Sequence, residues 1–243
     1  MEYSKKDIKI ELPEDVRFII GKLGASGHEA YAVGGCIRDS LLKRKPDDWD
    51  ITTNALPREV KSCFKRTVDT GIEHGTVTVI LKDKKNGGLS GYEVTTYRID
   101  GEYKDGRHPE GVTFTPSLRE DLKRRDFTVN AMAYNDETGL VDEFEGISDL
   151  NAKVIRCVGD PDERFDEDAL RILRAVRFAA QLGFVIDKDT EAAILRHAEN
   201  LKNVSKERIQ TELTKLLCSA NPYMIKDVKR LSMGPYICKG FEN

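Results

Sequence analysis

The hydrophobic period of this chain changes once, near residue 158, and that single change restricts the architectures open to it. Before the change, short runs rich in β-branched residues alternate with stretches of helical spacing. After it, the spacing is helical throughout. Such a pattern predicts an α/β domain over residues 1–158 followed by an all-α domain over 159–243. Pro13 opens a first helix with Val16, Ile19, Ile20 and Leu23 along one side, and Gly24 and Gly27 end it. Strands are expected at 29–34, 49–53, 76–82 and 92–98, and helices at 36–43 and 57–65, with Lys84–Gly88 as a hairpin connection. Residues 100–116 hold four acidic residues, three glycines and two prolines without any period, which predicts a mobile loop. Helices follow at 166–182, 187–199 and 205–217, with Gly183 as a stop.

Composition closes off several classes. The 243 residues suffice for two cores, and 39 Lys and Arg against 42 Asp and Glu nearly cancel, so the 33% charged residues do not signal disorder. No apolar run approaches the roughly 20 residues that cross a bilayer, and the first residues lack an apolar signal core. Five cysteines, odd in number, widely spread and without a CxxC pair, argue against a disulfide scaffold and a zinc site and lead us to expect a reducing cytoplasm. Residues 201–243 carry eight Lys and Arg against four Asp and Glu, although the whole chain is at −3. An acidic front and a basic back suit a protein that holds metal ions at one end and touches nucleic acid at the other; a solvated surface explains the charge equally well.

Three clusters carry chemistry. Gly34-Gly35 follows a strand and opens a helix, where a phosphate can approach the backbone, and Arg38 one turn on can add a charge-assisted bond. The turn is neither a GxGxxG fingerprint nor a P-loop. Ten residues after Arg38, Asp48 and Asp50 flank Trp49; on a strand they project side by side, and hard oxygen ligands so close select Mg²⁺. Glu93, in another β-run, supplies a third carboxylate, as a two-metal phosphoryl-transfer site requires. An isolated DxD is otherwise an acidic surface turn.

In Arg124-Arg125-Asp126-Phe127, the arginines can grip triphosphate oxygens while the aspartate accepts from a ribose hydroxyl; the alternative is a structural ion pair capping a helix that begins near Phe127. On the 166–182 helix, Ala169, Ile172, Leu173, Val176 and Ala180 share one face and read as core, whereas Asp168, Arg171, Arg174 and Arg177 recur every third residue around the other side. Such an arc is commonly solvated, yet arginines without lysine suit planar, bidentate recognition. A carboxylate only accepts and a guanidinium only donates, so a fixed Asp168–Arg171 pair matches the donor-beside-acceptor edge shared by cytosine and adenine. Guanine and uracil present the reverse edge and leave buried groups unpaired, at about 1–3 kcal/mol per group.

Taken together, GGCIRDSLL followed by DWDIT, His74-Gly75-Thr76, Glu93–Arg98, Arg124–Ala131 and Glu167–Phe178 resemble, in order, the motifs of the tRNA nucleotidyltransferase/poly(A) polymerase family, class II, over about residues 13–218. The resemblance implies a polymerase-β-like nucleotidyltransferase head, with a mixed sheet and flanking helices, followed by an all-α neck. It also implies Mg²⁺-dependent attack of an RNA 3′-hydroxyl on the α-phosphate of CTP or ATP. Asp48 and Asp50 become the metal ligands, with Glu93 as third carboxylate. Gly34, Gly35, Arg38, Arg125, Asp126, Asp168, Arg171, Arg174 and Arg177 become nucleotide-binding residues, and Asp168 with Arg171 forms the protein template. The expected partners are the tRNA 3′ end, CTP and ATP, with no membrane and no obligatory protein partner. Family members that add the terminal A carry a flexible segment where residues 100–116 lie, which favours CCA addition over A-addition or poly(A) synthesis. No histidine is followed by Asp, so the HD phosphohydrolase signature of some relatives is missing. Most of the body and tail that grip tRNA in bacterial relatives is not matched, which keeps open a nucleotide- or RNA-binding remnant without turnover.

Overall fold

A computed structural model describes residues 8–82, 87–101 and 111–237. The described residues form two compact units: one takes the chain to Asp100 together with Gly111–Arg125 and Val129–Ile147, the other takes Asp126–Thr128 and the residues from Ser148 onward.

The first unit is built on a seven-stranded mixed sheet. Its strands are β1 (Ala30–Val33), β2 (Asp50–Thr53), β3 (Thr67–Gly71), β4 (Thr76–Lys82), β5 (Leu89–Thr96), β8 (Met132–Asn135) and β9 (Gly139–Asp142), while β6 (Arg98–Asp100) and β7 (Val112–Phe114) pair separately. The order is β3-β4-β5-β2-β1-β8-β9, with β2 and β5 parallel and the other neighbours antiparallel. The interior strands β1 and β8 are buried along their whole length, as strands covered on both faces must be. Four helices belong to this unit: α1 (Glu14–Ala25), α2 (Gly35–Leu41), α3 (Pro57–Cys63) and α4 (Leu118–Lys123). Helix α1 buries Val16, Ile19 and Leu23, places Glu14 and Asp15 in its first turn and Lys22 in its last, and so agrees with its own dipole. In α3, Pro57 occupies the first turn and the Glu59 carboxylate accepts from the Leu56 N–H at 2.7 Å.

The second unit is helical. It contains α5 (Gly146–Ala152, from Ser148 onward), α6 (Pro161–Glu167), α7 (Leu170–Leu182), α8 (Lys188–His197), α9 (Lys206–Leu217), α10 (Ile225–Arg230) and α11 (Gly234–Ile237). A short parallel pair joins β10 (Val154–Ile155) to β11 (Val185–Ile186). Asp160 caps α6 and Asp187 caps α8 through backbone N–H groups two or three residues on. Gly183, at φ +71°, ends α7 in the left-handed conformation that glycine tolerates best. The anticipated apolar face of α7 is the core: Ala169, Ile172, Leu173, Val176 and Ala180 are all buried. Phe127, fully buried, bridges to Cys157 and meets the Phe178 ring edge-on, with centroids 5.8 Å apart and planes at 80°.

Four expectations need correction. The single helix at 166–182 is two helices, because Asp168 is extended (φ −147°, ψ 103°) and its carboxylate accepts the Leu170 N–H at 3.0 Å, starting a new helix. Asp48 precedes β2 instead of lying on it, so the Asp48–Asp50 pair is not a strand alternation. No α-helix begins near Phe127; a 3₁₀ turn spans Thr128–Asn130. The 100–116 stretch is not loop throughout: Arg98, Ile99 and Asp100 pair with Phe114, Thr113 and Val112, and residues 102–110 lie outside the described residues. The hairpin expected at 84–88 is present in its flanks, with Lys82 opposite Leu89, although residues 83–86 are also outside the description. Among the described residues no helix is long and apolar enough to cross a membrane.

Phe127→Ala removes a fully buried ring packed edge-on against Phe178 in the second unit, and its expected cost is about 3–5 kcal/mol. Urea denaturation followed by circular dichroism measures it.

Candidate functional site

Strand register gathers the acidic residues of the first unit. Val33, the last residue of β1, lies opposite Asp50, the first of β2. In the parallel β2–β5 pair Ile51 lies opposite Val94, so Asp50 and Glu93 each stand one residue earlier on adjacent strands. The Gly34 turn, Asp50 and Glu93 therefore meet at one end of three neighbouring strands. Asp47, Asp48, Trp49, Asp50 and Glu93 line an open cavity of about 650 Å³, completed by Thr78, Ser90, Gly91 and Tyr92.

The electrostatics of this cavity are those of crowded anions. The Asp50 carboxyl is raised above its ordinary value, first by desolvation and then by the charge of Asp48, with Arg125 opposing. Glu93 is raised by desolvation, then by Asp50 and Asp48. Asp50 feels Asp48 and Glu93 feels both, so the grouping expected from sequence is present even though Asp48 lies off the strand. All three are exposed, and water moderates the repulsion. Among the described residues no three His, Cys, Asp or Glu side chains form a metal cage of their own. Cys36, buried beside this cluster, has its thiol pushed up to about 12 by burial and then by Asp50, so it is no nucleophile.

Gly34 carries φ +84°, and a Cβ there would lie 2.9 Å from an Arg125 guanidinium nitrogen. Only glycine lets that arginine come so close. Arg38, on α2, is buried and committed to protein partners: Nε and Nη2 donate to Asp39 at 3.0 and 2.8 Å, and Nη1 donates to Asn130 at 2.5 Å.

In the RRDF stretch the charges diverge. Arg124 donates to Asp121 Oδ1 from Nε at 3.0 Å and from Nη2 at 2.8 Å, and Arg125 Nη2 lies 3.6 Å from Asp121 Oδ2. Asp126 belongs to the second unit, where its Oδ2 accepts from Arg174 Nε at 2.8 Å and Nη2 at 2.6 Å, a fork on one oxygen. Burial works against the Arg174 charge, but Asp126 and Glu212 more than compensate and its pKa is raised.

The remaining arginines of the arc are distributed among different partners. Arg171 donates to Glu167, which Arg164 shares, and to the Arg164 carbonyl oxygen at 3.2 Å. Asp168, with Oδ1 on the Leu170 N–H, receives Arg208 of α9 on Oδ2 at 2.7 Å. Arg177 is buried against Glu212 at 2.8 Å and lies over the Phe178 ring at 3.5 Å from its centroid. Asp121, Asn130, Arg208 and Glu212 were not singled out in the sequence; each lies far along the chain from the residue it holds or is one charge among many.

Residues 30–156 match the family described as Poly A polymerase head domain, and residues 183–232 match one described as Probable RNA and SrmB-binding site of polymerase A. The chain is 48% identical over 231 residues to the CCA-adding enzyme of Limosilactobacillus reuteri, covering 95% of this chain and 56% of that protein. Among solved structures it resembles the Bacillus stearothermophilus CCA-adding enzyme in complex with CTP, at a TM-score of 0.82 and 42% identity over 90% of this chain and 52% of that one. It also resembles the Thermotoga maritima CCA-adding enzyme complexed with tRNA, at 0.76 and 26% identity over 93% of this chain and 53% of that one. The chain thus spans about half the length of the relatives it matches.

Because the raised Asp50 carboxyl opposes folding in its ionised form, Asp50→Asn should raise the melting temperature of the EDTA-treated protein at pH 7 by about 1–3 °C. A carboxyl raised in the folded state contributes stability only when protonated, so the advantage of the variant shrinks as pH falls through the raised value of Asp50 toward the ordinary carboxylate range. Melting curves of both proteins across that range test the sign.

Proposed function

Since this chain belongs to the Poly A polymerase head-domain family, we propose that it is an RNA nucleotidyltransferase that adds C, C and A to the 3′ end of tRNA from CTP and ATP. The observation that carries the reading is the convergence of Asp50, Glu93 and the Gly34 turn at one end of three neighbouring strands, with Asp48 on the same cavity. The names of its relatives, CCA-adding enzymes, and the CTP and tRNA in the solved complexes support the substrates.

We assign the catalytic head to residues 1–158 and the nucleotide-selecting neck to 159–243. Asp48 and Asp50 fit Mg²⁺: Arg125 offsets only part of the penalty on Asp50, and that ion needs only one or two carboxylates because it completes its shell with water and substrate phosphate. When bound, Mg²⁺ supplies Lewis-acid stabilisation of charge at the α-phosphate. The chain's own residues do the rest. Glu93 adds a third negative group to the same cavity, and Arg125 sets a fixed positive charge beside Gly34. Gly34 and Gly35 form the backbone turn that Arg125 lies against, where a phosphate would meet it, with Arg38 buried behind them on Asp39 and Asn130. Asp126 and Arg174 form a pair suited to the sugar and phosphates. Arg177 anchors the arginine-bearing helix to α9. Asp168 and Arg171 read the base edge, which requires each to exchange a protein partner for the nucleotide: Asp168 that of Arg208, Arg171 that of Glu167. The cysteines described are free thiols, which supports a reducing, cytoplasmic setting.

Incubation with Mg²⁺, labelled CTP or ATP, and tRNA lacking its 3′ end tests the reading. Ordered C, C, A supports it, A alone assigns an A-adding or poly(A)-type activity, and no product leaves a binding remnant. Asp48→Ala should lower transfer by about 10²–10³ or more while CTP binding remains measurable. Asp168→Ala should reduce discrimination against UTP and GTP by about tenfold or more, read as ratios of kcat/KM; unchanged ratios exclude the proposed template.

A further inference from the structure

Asp121 takes no part in the chemistry assigned so far, yet it is fully buried on α4, where a carboxylate survives only if paired. Burial pushes its pKa up, but Arg124, Arg125 and the Thr52 hydroxyl outweigh burial and hold it below the ordinary value, so it is ionised. Its two oxygens have separate duties. Oδ1 is taken by the two-pronged Arg124. Oδ2 accepts the Thr52 hydroxyl at 3.0 Å and faces Arg125 Nη2 at 3.6 Å. That second distance is an ion pair rather than a hydrogen bond. Arg125 Nε is itself buried without a hydrogen-bond partner, so the guanidinium is held by charge and by its walls. One wall is Gly34, whose missing side chain leaves the space that the guanidinium approaches. Thr52 stands two residues after Asp50 on β2, so the same anchor ties Arg125 to the strand that carries the candidate metal ligand.

We propose that Asp121 is a positioning residue for nucleotide binding, fixing the Arg125 guanidinium against the Gly34 turn so that it meets the incoming triphosphate already oriented. The inference rests on the nucleotidyltransferase reading. Its physical basis is pre-organisation: an arginine confined before binding loses less rotamer freedom when a phosphate arrives.

A double-mutant cycle on CTP affinity, measured by equilibrium dialysis with Mg²⁺ on the 243-residue chain, tests it. Asp121→Asn should weaken CTP binding by about tenfold, the scale of one charge-assisted interaction. Arg125→Ala should weaken it as well, and Asp121→Asn should add nothing in the Arg125→Ala background, within about twofold. Effects that multiply, or an Asp121→Asn variant with unchanged affinity, overturn the inference. Should Asp121→Asn fail to fold by circular dichroism, Thr52→Val removes the hydroxyl on the oxygen facing Arg125 and enters the same cycle with the same two outcomes. A wild-type chain that binds no CTP overturns both this inference and the reading beneath it, which separates the two failures.

Discussion

Mutual repulsion among carboxylates is the force to which the first unit is fitted. A protein optimised only for stability would not place Asp48, Asp50 and Glu93 on one cavity, because Asp50 and Glu93 are penalised by desolvation and by the neighbouring charges. The rest of the unit accommodates that choice. Strand β1, buried along its whole length, lies beside the charged start of β2. Among the described residues, the countercharge acting on Asp50, Arg125, does not neutralise the cluster; it offsets part of the Asp50 penalty and leaves a residual negative field. A field of that sign attracts cations, and it repels a phosphate unless cations arrive with it. Local instability at a site of this kind is a recurrent feature of catalytic proteins.

The second unit handles its charges in the opposite way. Among its described arginines, Arg174 is matched to Asp126, Arg177 to Glu212, Arg171 to Glu167 and Arg208 to Asp168. A buried pair such as Arg177 with Glu212 adds little net stability over apolar packing but fixes one geometry, since either partner alone would be an uncompensated buried charge. Arg174 with Asp126 is a more accessible pair, its aspartate buried and its arginine partly exposed.

What could be read directly from the sequence was whatever depends on short-range order. The core face of α7, the glycine turn and the stop at Gly183 all follow from spacing along a few turns or residues, and all are present. What escaped depends on partners distant in the chain. Thr52 and Asp121 are 69 residues apart, and Arg38 and Asn130 are 92 apart. No local period reveals such meetings. The strands β8 and β9 were missed for the same reason: their pairing is decided by the sheet they join. Asp168 shows a subtler failure. Helical spacing runs unbroken through it, but a short acidic side chain can bond its own downstream N–H and halt one helix to begin another, which a count of apolar positions does not register.

That interruption frees one residue from the geometry of its surroundings. A group on a helix surface points wherever the winding sends it, and redirecting it means rotating every buried neighbour on the opposite face. Asp168 sits in an extended link, so its direction is set by two backbone angles and by whatever holds its carboxylate, independently of the packed face of α7. The same carboxylate starts α7 through the Leu170 N–H and holds Arg208, so one short side chain links the direction of the helix to a charge on α9 while the hydrophobic face of α7 stays in register.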